Sequence, residues 1–197
     1  SSAASDVYKR QIVLYNVPGR TGVDMTVETT VKLSKHANVV GLKDATGANN
    51  RVGPLRAVCG AGFRQYSGED GMARDYVTQG GDGVISVTAN VAPRDMQTML
   101  ANPNKSSSIK IDAKLRALHE KLFVQANPIP VKWALHRAGR MGAGIRSPLA
   151  ALEPQFHEDI DDALRLADVD VAPAAEEEQG ANGVAAPPAR AVSGASA

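Results

Sequence analysis

Four short apolar segments, each followed by an amphipathic stretch, constrain the fold of this chain more than anything else in it. Ile12 to Val17, Val39 to Lys43, Phe63 to Ser67 and Gly83 to Thr88 read as strands. The stretches between them carry helical spacing. Val27 and Val31 lie at i, i+4 ahead of His36, and Met72 and Tyr76 share that spacing ahead of a Gly80-Gly81 stop. A βαβαβαβ order implies an α/β protein with a parallel sheet. Runs such as Val39-Val40 without polar alternation suit strands covered on both faces.

Beyond about Asn90 the strands cease. Met96, Met99 and Leu100 mark one helix, and Leu115, Leu118, Leu122 and Phe123 mark another. Asn127-Pro128-Ile129-Pro130 ends one helix and lets the next start near Val131, where Trp133 is expected to pack. Four regions follow: a polar stretch at 1–11 set aside from fold reasoning, an α/β region at 12–90, a helical region at 91–168, and a tail at 169–197. The tail is rich in Ala, Pro, Gly and Glu and is expected to be disordered.

Composition removes several function classes. The 22 Lys and Arg against 21 Asp and Glu leave a net charge of +1, which gives no electrostatic ground for binding nucleic acid or an anionic membrane. No run of about 18 apolar residues is present, so no membrane span is expected, and a cytoplasmic location is the expectation. Cys59 follows Leu55 and Val58 in a helical pattern and reads as a small packed hydrophobe. His36, His119, His136 and His157 lack metal-ligand spacing, so they read as surface or packing residues and no metal is expected. Gly80-Gly81-Asp82-Gly83 precedes a strand instead of joining a strand to a helix, which is the wrong context for a nucleotide-binding loop.

Parallel sheets place ligands at the carboxyl ends of their strands. Here those ends are Tyr15 to Arg20, Lys43 to Thr46, Ser67 to Asp70 and Ile85 to Thr88. Lys43 is the informative residue among them. A desolvated amine is less basic, and in neutral form it attacks carbonyls to give a Schiff base; the bland alternative is a lysine that snorkels to solvent from the strand end. Gly41, of the same strand parity, would leave room for a small substrate beside the amine. Tyr15 ends the preceding strand, either as a proton shuttle or as an amphipathic cap. Arg20 offers a forked donor to a carboxylate, or is simply solvated. Glu69 and Asp70 lack a third metal ligand nearby and read as caps for the helix that holds Met72.

The stretches YNVPGRTG (from Tyr15), GLKDATG (from Gly41), YSGEDG (from Tyr66), GGDGVISVTANVAPRDM (from Gly80) and KLFVQANPIPVKWAL (from Lys121) resemble, in this order, the dihydrodipicolinate synthase family. The resemblance covers about Ile12 to Asp168. It implies a TIM (β/α)8 barrel, of which this chain carries the last four βα units, followed by a C-terminal helical domain. It further implies that Lys43 forms a Schiff base with pyruvate, with no separate cofactor, and that Tyr15 moves the protons. Arg20 would hold the carboxylate of aspartate 4-semialdehyde, and Gly68 and Ile85 would line the lysine through backbone groups. The product would be 4-hydroxy-tetrahydrodipicolinate, on the route to diaminopimelate and lysine, from a homo-oligomeric parent.

The same resemblance implies missing parts: the Gly-Thr-Thr-Gly-Glu loop that grips pyruvate, the threonine of the proton relay and a tyrosine supplied by a neighbouring subunit. Losing an acid-base relay costs about 10² to 10⁴ in rate, so little or no turnover is expected from this chain alone. Two alternatives stand beside this reading. One is another pyruvate-dependent lyase of the superfamily, such as an N-acetylneuraminate lyase or a keto-deoxy sugar aldolase. The other is an inactive, self-associating half-barrel.

Overall fold

The computed structural model describes residues 10–171. The expectations for residues 1–9 and 172–197, the tail among them, lie outside the described residues. Four parallel strands form one sheet in the order β1 (Ile12–Asn16), β2 (Val39–Asp44), β3 (Arg64–Ser67) and β4 (Gly83–Val84). The register sets Tyr15 beside Lys43, Lys43 beside Tyr66, and Tyr66 beside Gly83. Helices α1 (Pro18–Thr21), α2 (Val27–Ser34), α3 (Val52–Cys59) and α4 (Ala73–Thr78) fill the connections. Four more follow: α5 (Pro93–Ala101), α6 (Ser106–Lys121), α7 (Ile129–Arg137) and α8 (His157–Leu166).

One face of the sheet is covered. Leu42, Leu55 and Phe63 form a small core to which Leu14, Val27, Val31 and Cys59 add their surfaces. Cys59 is half-buried there and donates its S–H to Ser34 Oγ at 3.3 Å. The opposite face is open, with Val13 43% and Tyr15 47% exposed. This corrects the expectation of strands covered on both faces, and it leaves Lys43 half-buried. An apolar run in a parallel strand shows that both faces can be buried; it does not supply the second layer.

Gly41 also has a different reason from the one its position suggests. A Cβ there would lie 2.6 Å from the carbonyl oxygen of Arg64, so glycine is required by the close approach of β3 and not to make room for substrate. Strand β4 is shorter than expected. After Val84, Ile85 N–H still donates to Ser67 O, but the chain then turns into a 3-10 segment at Thr88–Asn90. The cause is Asp70, whose carboxylate accepts the N–H groups of Val87 and Thr88 at 3.0 and 2.8 Å. Asp70 therefore caps a turn 18 residues away, and neither it nor Glu69 caps the 3-10 turn at Asp70–Met72 ahead of α4 with its side chain.

The larger core lies under the helices. Met96, Met99, Leu115, Leu118, Leu122, Ile160 and Leu164 are at most 2% exposed, and each stabilises the fold by about 1.5–3 kcal/mol through burial. Ala73 belongs to this core and Val84 packs on it, so the sheet and helices share it. It also continues past residue 168, since Val169 is buried in it and Val171 packs against it. Phe123 departs from the apolar set of α6: it lies beyond the helix end and is exposed. Trp133 stacks on His157 with ring centroids 4.5 Å apart. Among the described residues, no helix is long and apolar enough to cross a membrane.

Candidate active site

The carboxyl ends of the strands open into a cleft of about 960 Å³. Tyr15, Arg20, Lys43 and Gly68 all line it, so four of the five residues singled out in the sequence meet in one place. Ile85 is not among the lining residues. It lies just past the end of β4, is exposed, and donates its N–H to Ser67 O at 3.0 Å.

Local structure explains how each group arrives. The β1–α2 connection that carries Arg20 is fastened below by Asn16, whose amide donates to Asp24 Oδ1 at 2.9 Å and accepts Met25 N–H at 3.0 Å. Arg51 closes the clamp with a forked contact to the Asp24 carboxylate and a bond to Met25 O at 2.9 Å. Hydrogen bonding from Arg51, then from Asn16, holds the Asp24 carboxyl below the usual range. Pro18 opens α1 and Gly22, at φ +70°, closes it, so Arg20 is presented on one rigid turn.

The Lys43 ammonium nitrogen sits 4.4 Å from the centroid of the Tyr15 ring. It meets the π face of that ring, a cation–π contact that fixes the amine at the mouth of the sheet. Gly68 backs the lysine directly. A Cβ there would fall 2.6 Å from Ala45 Cβ and 3.1 Å from Lys43 Cε, so the lysine stem occupies the space a side chain would need.

Two lining residues escaped the sequence reading. Glu69 enters the cleft wall and its carboxylate receives no hydrogen bond among the described residues. Burial pushes its carboxyl up, and the nearby Asp70 and Asp44 charges add to that, against the pull of Lys43. Its signal was position: it lies two residues past the end of β3, at the ligand end of a parallel strand. Asn127 was read only as a helix stop, yet it lines the cleft with its Oδ1 buried and unpartnered. It arrives with the segment Phe123 to Asn127, which the helical region lays over the sheet mouth. Gln125 pins that segment, donating to Glu153 Oε1 at 2.6 Å and accepting Glu153 N–H at 3.0 Å.

What the cleft can do follows from these groups. It holds an amine for attack on a carbonyl, a phenol beside it, a guanidinium for a carboxylate and one free carboxylate. Among the described residues, no group of three or more His, Cys, Asp or Glu side chains is placed to hold a metal ion.

Comparison with known proteins gives this constellation a context. A sequence model of the Dihydrodipicolinate synthetase family matches residues 4–167, beginning inside the stretch that the sequence reading set aside. A 4-hydroxy-tetrahydrodipicolinate synthase from Thioalkalivibrio sulfidiphilus is 48% identical over 160 residues, covering 80% of this chain and 54% of that protein. The crystal structure of the chloride-inhibited dihydrodipicolinate synthase from Acinetobacter baumannii, complexed with pyruvate, superposes with a TM-score of 0.79 at 41% identity. That match covers 85% of this chain and 59% of the other. A monomeric dihydrodipicolinate synthase variant superposes with a TM-score of 0.74 at 36% identity, covering 80% and 55%. The chain thus spans about half the length of the curated relatives it matches.

Proposed function

The chain belongs to the Dihydrodipicolinate synthetase family, and from that premise we propose that Lys43 is the imine-forming nucleophile of a pyruvate-condensing lyase, with aspartate 4-semialdehyde as the second substrate. The single observation that carries this reading is the placement of Lys43 at the carboxyl end of a parallel sheet, with Tyr15 under its ammonium and Arg20 in the same cleft. In this reading the sheet is four strands of a (β/α)8 barrel from the C-terminal portion of a longer enzyme. The open face that exposes Val13 and Tyr15 is where the other strands would close the barrel. Residues 91–168 form the helical domain, and the parent is a homo-oligomer.

The chemistry balances without an added cofactor. The Lys43 amine attacks the oxo carbon of pyruvate and water leaves, giving an imine. A proton lost from the methyl group, with Tyr15 as relay, leaves an enamine whose carbon bonds to the aldehyde carbon. Arg20 holds the carboxylate of the incoming aldehyde. The amino group of the adduct then attacks the imine carbon, closes the ring and frees Lys43. One pyruvate and one aspartate 4-semialdehyde yield one 4-hydroxy-tetrahydrodipicolinate and one water.

Borohydride reduction in the presence of pyruvate, followed by peptide mass mapping, tests this. We expect a substoichiometric adduct on the peptide holding Lys43, none in Lys43→Arg, and little condensation by this chain alone. An adduct at another lysine overturns the assignment. A stoichiometric adduct on Lys43 overturns the expectation of inactivity.

A further inference from the structure

The run from Ile129 to Arg137 does more than follow the proline turn. Ile129, Lys132, Trp133 and His136 stand at i, i+3, i+4 and i+7 of α7, so they form one stripe along that helix. The stripe faces a cavity of about 210 Å³ whose other wall includes Ile145, Leu152 and His157. That volume exceeds the roughly 150 Å³ that holds a benzene ring in an apolar protein interior. Its walls are tied in place. A carbonyl can only accept, so His136 donates from Nδ1 to Met141 O at 3.3 Å and His157 donates from Nε2 to Leu152 O at 3.2 Å. Trp133 stacked on His157 joins α7 to α8, and the space is therefore preformed.

The floor of the cavity is apolar, with Ile129 and Leu152 buried and Ile145 half-buried. Lys132 stands beside it, half-buried, and its ammonium has neither an ion pair nor a hydrogen bond among the described residues. No Asp or Glu among the described residues lines the cavity, whereas Lys114 and Lys121 of α6 are each paired with aspartates. A half-buried ammonium at the edge of an apolar space lacks the counter-charge that would offset its desolvation. We infer that this cavity is a binding site for a small carboxylate with an apolar body the size of one six-membered ring, the carboxylate on Lys132 and the body over Ile129, Ile145 and Leu152. The site is independent of the condensation chemistry, since it shares no lining residue with the cleft that holds Lys43.

The test uses the whole chain and its own reporter. Trp133 is the single tryptophan in the sequence and lines this cavity, so its fluorescence reads occupancy here and not in the cleft. The probes are benzoate, benzyl alcohol, which keeps the ring without the charge, and acetate, which keeps the charge without the ring. We expect benzoate to change the emission saturably and to bind at least about tenfold more tightly than either of the others, as a charge-assisted hydrogen bond added to apolar burial provides. Lys132→Met should bring benzoate down to the level of benzyl alcohol and leave benzyl alcohol unchanged. Arg20→Ala should leave the benzoate titration as it was, which separates this cavity from the cleft. Equal or undetectable binding of benzoate and benzyl alcohol by the unaltered chain overturns the inference, and that readout needs no variant. A benzoate affinity that survives Lys132→Met overturns it too, as does one that falls in Arg20→Ala.

Discussion

Gly68 and Lys43 show how one missing side chain positions another. A Cβ at residue 68 would lie 3.1 Å from the lysine Cε and 2.6 Å from Ala45 Cβ. Gly68→Ala must therefore push the lysine stem toward the Tyr15 ring or part β2 from β3. We expect this variant to lose at least about tenfold in the rate of pyruvate adduct formation, with its far-ultraviolet circular dichroism unchanged. An unchanged rate of adduct formation would show that the lysine does not depend on this contact. Lys43, Tyr15 and Arg20 were legible in the sequence because strand parity and the ligand end of a parallel sheet place them. Glu69 and Asn127 were not, because nothing local separates a cleft carboxylate from a cap, or a cleft amide from a helix stop.

At the scale of elements, the apolar periodicities located most of the helices and strands, while β4 was overestimated. Residues Ile85 to Val87 have strand propensity, but two backbone hydrogen bonds to Asp70 pull the chain into a turn, a long-range contact with no local signature. That turn leads to His119 of α6, which lies 2.9 Å from Thr88 Oγ1 through Nδ1 and keeps Nε2 buried without a partner. Burial lowers the His119 pKa, Asp70, Asp112 and Glu120 pull it up, and Arg116 adds to the lowering. The sign of the pH effect follows. The unfolded chain takes up a proton near the ordinary value of about 6.5, while the folded chain refuses it until a lower pH, so stability falls as pH drops through that window. Urea midpoints should decline from pH 8 to pH 5.5, and His119→Gln should flatten part of that slope. An identical slope in the variant would remove His119 as its source.

At the scale of the whole molecule, the described chain is a sheet with one covered face, joined to a helical layer through a shared core that takes in Ala73 and Val84. Periodicity revealed the covered face, but a strand sequence cannot report whether the layer opposite is present. The cleft crosses the junction, since the α/β part supplies Lys43, Arg20 and Glu69 and the helical part supplies Phe123 to Asn127. Gln125 and Glu153 hold that segment by two hydrogen bonds at the surface. Peptide bonds between residues 123 and 127 are consequently the place where a protease would report occupancy. Cleavage there should slow when pyruvate fills the cleft and quicken in Gln125→Ala, as followed by mass spectrometry of limited digests. Such a segment makes the susceptibility of one short stretch to digestion a gauge of whether the distant lysine has company.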